Sequence, residues 1–222
     1  MYQVFIGLFT EGSTDIRFLE PIIERTFLQI ALKQSHLDIE ITIQPITIDK
    51  KGKGFNEQVF EALKIGYNLY GISLLCVQTN ADNRTLENTY KTKINRVLES
   101  LTVADDILCK TIVPLVPIQE TEAWMLSDKE LLKIQIGTTK SDDELKINKH
   151  PESVANPKEL IEEAIRIARS GLTKKRKHDL KIDELYTLIG QTLDISKLDS
   201  LYSFQDFKQN ITNASKKKRI IR

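Results

Sequence analysis

In the stretch "VFIGLFTEGSTDIRFLEPII" (Val4 to Ile23) a glutamate, Glu11, stands between an apolar run and a glycine. A second polar group closes another apolar run, where "TNAD" supplies Asn80 and Asp82 at the end of Ile72 to Asp82. An acid at one strand end beside an acidic motif at another, on the same edge of a parallel sheet, suits a divalent-metal site for phosphate chemistry. Carboxylates so clustered can hold one or two Mg²⁺ ions, which neutralise phosphate oxygens and orient an attacking water, so phosphodiester hydrolysis is the chemistry they would support. The plainer alternative for Glu11 is a solvated turn acid. His36, His150 and His178 are isolated, and no cysteine pair has ligand spacing, which argues against a zinc site and leaves carboxylates as the metal ligands.

Positioning these residues requires strands and helices in a definite order. Val4 to Phe9 is short, uncharged and rich in β-branched and aromatic residues, which reads as a buried strand ending just before Glu11. Gly12 can take backbone angles that other residues avoid, Ser13 or Thr14 can cap a helix, and Asp15 complements its first-turn dipole. Apolar residues at Ile16, Leu19, Ile23, Phe27 and Ile30 extend that helix to about Gln34. "IEITIQPITI" (Ile39 to Ile48) alternates like a half-buried strand, with Pro45 hinting at an edge or bulge. Phe55 to Gly71 returns to helical spacing and ends on glycine, and Ile72 to Asp82 has the near-continuous apolar character of a central parallel strand. Thr85 to Leu101 reads as a helix, Lys110 to Gln119 as a strand interrupted by prolines, and "TEAWMLSDKELLKI" as one helix carrying the only tryptophan.

Strands alternating with helices over roughly the first 130 residues predict an α/β fold with a parallel sheet of about four strands flanked by helices. The predicted division is an α/β domain over 1–135 and, over 136–222, a polar loop followed by a small helical C-terminal appendage packed on it. Asn156-Pro157 carries an Asn cap and a first-turn Pro that start a helix. Beyond a basic loop, Ile182 to Ala214 suits two or three short helices.

With 41% hydrophobic and 28% charged residues the chain has the balance of a soluble globular protein rather than a disordered one. The net charge of +1 hides basic runs at Lys50 to Lys53, Lys174 to Lys177 and Lys216 to Arg222. They offer local positive potential to a phosphate-bearing partner, with Lys51, Lys53, Lys174, Lys175 and Arg176 as contacts, although any one run is more often a solvated loop or tail. Arg84, just past "NAD", can grip phosphate with a bidentate fork or make a surface salt bridge. Cys76 and Cys109 read as small apolar core residues. No stretch approaches a membrane span and no basic leader opens the chain, so no membrane partner is expected and the cytoplasm is the expected address. "KGKGFN" fits neither a Walker A loop nor a dinucleotide-binding fingerprint.

The motif "EGSTDIRFL" resembles the first motif of TOPRIM domains, the metal-dependent module of topoisomerases, primases and overcoming-lysogenization-defect (OLD) type nucleases, and "TNAD" falls where that superfamily carries Asp-x-Asp. "PIQETEAWMLSD" and "SFQDF" resemble a family of small bacterial TOPRIM-like proteins, and the likeness covers most of the chain. The resemblance implies a TOPRIM-like (Rossmann-like) fold, Mg²⁺ or Mn²⁺ as cofactor, Glu11 as general base or metal-proximal acid, and Asp82 as a magnesium ligand. Asn80 departs from the pattern, because an asparagine keeps a carbonyl oxygen but removes one negative charge. Either a neighbouring acid compensates, Glu122 first and Glu120 second, or the site has kept binding and lost hydrolysis. Glu122 can instead cap or salt-bridge its own helix, with Trp124 simply core.

The resulting expectation is a Mg²⁺-dependent nuclease acting on nucleic acid, with a role in defence against mobile genetic elements and an ATPase partner implied by the resemblance alone. Two alternatives stand beside it: a degenerate protein that binds nucleic acid or the ATPase without cutting, and an enzyme hydrolysing a small phosphorylated metabolite.

Overall fold

A computed structural model describes residues 2–34, 38–81, 85–104, 109–170 and 180–221. The first strand, β1 (Tyr2–Phe9), leads into α1 (Ser13–Gln34), followed by β2 (Ile39–Pro45), α2 (Phe55–Tyr70) and β3 (Leu74–Gln78). Then come α3 (Leu86–Thr89), a π-helical turn (Tyr90–Ile94) and α4 (Asn95–Val103), which together occupy the segment expected as one helix. The fourth strand is β4 (Ile112–Leu115). Among the described residues the four strands form one parallel sheet in the order β2-β1-β3-β4. The expected α/β class is observed, and its layering is that of a Rossmann-like fold.

The two-residue period of each strand decides which helices it meets. Val4, Ile6 and Leu8 of β1, Leu74 and Cys76 of β3, and Val113 and Leu115 of β4 join one core cluster with Phe18, Leu19, Ile22 and Ile23 of α1. Their neighbours Phe9, Leu75, Val77 and Ile112 join the other with Val59, Ala62 and Leu63 of α2 and Val97 and Leu101 of α4. Burial on both faces is why these strands read as apolar runs instead of alternating. Ending α2, Gly71 adopts φ 62°, a left-handed C-cap whose N–H donates to the carbonyls of Gly66 and Tyr67.

The segment expected as one tryptophan-bearing helix is two, α5 (Glu122–Met125) and α6 (Lys129–Ile136). Asp128 breaks it: its carboxylate accepts from the Leu131 N–H, 3.1 Å away, and starts the second helix as an N-cap. Next are α7 (Pro157–Arg169), α8 (Leu185–Thr192), α9 (Ile195–Leu198) and α10 (Tyr202–Lys217), the last a long helix where short ones were expected. Asn156 precedes α7 as anticipated, but its side-chain amide donates to Glu159 at 3.0 Å instead of accepting from the helix.

These C-terminal helices complete the core on the α1 side, where Leu185, Tyr186, Ile189, Phe204, Phe207 and Ile211 join the cluster containing α1. Trp124 stands edge-on to Phe204 at 5.2 Å, and its indole N–H donates to Ser203 Oγ at 2.8 Å. Glu152 accepts from the N–H groups of Tyr202 and Ser203, 2.9 Å each, which supplies an anion at the start of α10. Arg25 of α1 donates to the carbonyls of Gly190 and Leu193 at the end of α8. No helix among the described residues is long and apolar enough to cross a membrane.

Candidate functional site at the strand ends

The strand order places a topological switch point between β1 and β3, since the chain leaves β1 toward β2 on one side and returns through β3 toward β4 on the other. Ligands of open parallel sheets bind at the carboxyl ends of strands at such a point. Glu11 follows β1 and Asn80 follows β3, so both border this crevice.

Sheet geometry explains how they meet. N–H groups of successive residues along a strand face opposite neighbours. The N–H groups of Thr79 and Ala81 donate to Leu115 and Pro117 on the β4 side. The intervening Asn80 N–H therefore faces β1, and Glu11 Oε2 accepts it at 3.1 Å. Glu11 Oε1 accepts from the Thr79 hydroxyl at 2.7 Å and from the Lys93 ammonium at 2.8 Å, and the same ammonium donates to Thr79 Oγ1 at 2.7 Å. Lys93 belongs to the π-helical turn, in which the Asn95 N–H donates to the Tyr90 carbonyl five residues back. The aromatic ring of Phe55 lies 5.6 Å from its ammonium.

Gln78, fully buried, ties the strand ends together. Its carbonyl accepts from the Glu11 N–H at 2.9 Å, and its amide donates to Asn80 Oδ1 at 2.7 Å and to Thr121 Oγ1 at 3.4 Å. Lys50 approaches from the segment after β2 and donates to the carbonyls of Thr10 and Glu11 at 2.6 and 2.7 Å. Burial pushes the Lys50 ammonium down from its usual range, and the charges of Glu11 and Asp15 partly oppose that.

A pair of acids lies deeper. Asp15 is 8% exposed and Glu122 is 6% exposed. Asp15 Oδ2 accepts from the Gly12 N–H at 3.2 Å, so the third helical residue, and not Ser13 or Thr14, makes the cap contact at the start of α1. Its carboxyl is pushed up to about 6, first by burial and then by the charge of Glu122, against hydrogen bonds from Thr121 and Gly12. Glu122 Oε1 accepts from the phenol of Tyr186 on α8, whose own ionisation burial and that carboxylate drive upward. Gln119, with φ 66°, takes a left-handed backbone conformation in the turn between β4 and α5.

The structure thus brings Glu11 and Asn80 together and buries Glu122 at the base of α5, bonded to Tyr186. Glu120 accepts from the Lys158 N–H at the start of α7, 3.4 Å away. Lys53 is engaged by Glu61 of α2 at 2.5 Å and by the Asp49 carbonyl at 2.8 Å, whereas Lys51 is exposed. Asp82, Arg84, Lys174, Lys175 and Arg176 lie outside the described residues. Sequence reading passed over Gln78, Thr79, Lys93 and Tyr186. For Gln78 and Thr79 the signal was there, a polar pair directly after "LLCV"; for Lys93 and Tyr186 only tertiary packing supplies one.

In donor type the strand ends suit a hard cation: the Glu11 carboxylate, the Thr79 hydroxyl and the Asn80 amide carbonyl are all oxygen donors. The ammonium of Lys93 donates to the first two. Among the described residues no group of three or more His, Cys, Asp or Glu side chains converges as a ready-made cage. Comparison with family models, with curated proteins and with solved structures finds no match.

Proposed function

We propose that this protein is a TOPRIM-like, Mg²⁺- or Mn²⁺-dependent hydrolase of phosphodiesters in nucleic acid. The observation that carries this reading is the meeting of Glu11 with Thr79 and Asn80 across the switch point of a parallel sheet, which is where the resemblance wants its glutamate and its second acidic motif. In it Glu11, Asn80 and Asp82 would hold the cation, which would supply charge neutralisation at phosphate and an activated water. The Glu11 carboxylate would serve as base toward the attacking water, and Lys93 and Lys50 would add positive charge where phosphate oxygens lie. Glu122, held by Tyr186, supports the site from below, and Asp15 beside it carries its proton to about pH 6. Arg84, Lys51, Lys53, Lys174, Lys175 and Arg176 are the proposed contacts to the polynucleotide backbone. Defence against mobile elements, an ATPase partner and a cytoplasmic setting belong to the same proposal and rest on the resemblance and composition.

A second reading has its own support. Glu11 is neutralised by Lys93, and the Asn80 carbonyl is engaged by Gln78, an arrangement suited to binding nucleic acid or a partner without cutting. Incubation of labelled single- and double-stranded DNA and RNA with the protein, with and without Mn²⁺, separates the two. Cation-dependent cleavage supports hydrolysis. Retention of the polynucleotide without cleavage at any cation level overturns it in favour of binding alone.

A further inference from the structure

Lys93 is joined to the site by contacts that a merely solvated lysine would not make. Its ammonium donates to both Glu11 Oε1 and Thr79 Oγ1, at 2.8 and 2.7 Å, and its side chain is only 23% exposed. It arrives there from a π-helical turn, an irregularity in an otherwise α-helical segment. That turn is held from its other side, where the Tyr90 phenol donates to Asp206 Oδ2 at 2.5 Å and accepts from the Asn210 amide at 2.6 Å, both on α10. Glu11 Oε2, by contrast, faces only the Asn80 N–H among the described contacts. One carboxylate oxygen therefore carries a full positive charge and the other a backbone dipole.

We infer that Lys93 is a built-in counter-ion of Glu11 that a divalent cation must displace, so that it sets the cation affinity of the strand-end site and, once displaced, is free to pair with a phosphate oxygen. The inference rests on the metal-dependent reading above and deepens it. Two positive charges cannot share one carboxylate oxygen without strong repulsion, and the Glu11–Lys93 pair is only partly screened by solvent. With Lys93 in place the site is electrically satisfied and binds a cation weakly. Released from Glu11, the same ammonium keeps its reach to the crevice, because its helix is anchored through Tyr90 and not through Glu11.

Calorimetric titration with Mn²⁺ of the full chain, of Lys93→Met and of Lys93→Arg tests this. Lys93→Met keeps the aliphatic stem and removes the charge, so Mn²⁺ is expected to bind roughly threefold to tenfold tighter than in the unaltered protein. Lys93→Arg keeps a counter-ion and is expected to stay within a factor of about two of the unaltered protein. Equal or weaker Mn²⁺ binding by Lys93→Met, with the unaltered protein still binding, overturns the counter-ion role and leaves the metal-dependent reading standing. No Mn²⁺ binding by either overturns both. Lys93→Gln serves in the same way should the methionine variant fail to fold.

Discussion

Asp15 carries the clearest pH signature at the scale of single residues. Its carboxyl is raised from 3.8 to about 6, so the folded chain binds a proton that the unfolded chain has already released. Stability from this group is therefore greatest below about pH 4 and is lost as pH rises toward and through 6. Asp15→Asn can still accept from Gly12 but cannot ionise. Between pH 4 and pH 7.5 the unaltered protein is expected to lose on the order of 3 kcal/mol relative to Asp15→Asn, read as the difference in urea midpoints at the two pH values. A pH-independent difference would mean that burial does not raise the Asp15 carboxyl in the folded chain. Glu11, Asn80 and Glu122 were legible in the sequence because polar groups at the ends of apolar runs sit where strands stop. Asp15 was legible only as a helix-start acid, since its pairing with Glu122 joins residues from opposite ends of the α/β region, and no local pattern announces that.

Elements were the most legible level, and their departures have local causes. All four strands were expected: β1, β3 and β4 because residues buried on both faces leave apolar runs, and the edge strand β2 because burial on one face leaves an alternating pattern. Helix breaks were not, because a single capping side chain such as Asp128 or one extra residue in a π turn leaves the apolar spacing almost unchanged. Packing between elements is sharper than either. Gly190 of α8 backs onto α1 so closely that an added Cβ would sit 2.7 Å from the Phe18 carbonyl oxygen and 2.9 Å from the Phe18 Cα. Backbone atoms cannot yield as a side-chain tip can, so Gly190→Ala must push α8 away from α1 and disturb the Tyr186–Glu122 contact. A loss of about 1–3 kcal/mol in urea unfolding is expected, against the small gain that alanine normally brings to an open helical position.

Across the whole molecule the C-terminal helices are not independent of the sheet. Their apolar side chains belong to the same cluster as α1, β1 and β3, and Trp124 is walled by Phe204 and Phe207 of α10. Unfolding followed by Trp124 fluorescence, which reports the α10 contact, is expected to coincide with unfolding followed by far-ultraviolet circular dichroism. A fluorescence transition at lower urea would mean that the C-terminal region detaches as a unit of its own. A fold joined in this way holds the strand ends rigidly: Gln78 links β3 to Glu11 and Thr121, and Tyr186 links α8 to Glu122. At the centre of that frame stands Glu11, to which the proposed function gives the chemistry. Its role is tested most directly by the single-turnover rate of phosphodiester cleavage in a labelled polynucleotide at saturating Mn²⁺, measured for the unaltered protein and for Glu11→Gln. The expected result is cation-dependent cleavage that falls by about 10²-fold or more in the variant. Equal rates in the two proteins, or no cleavage by either, would contradict it.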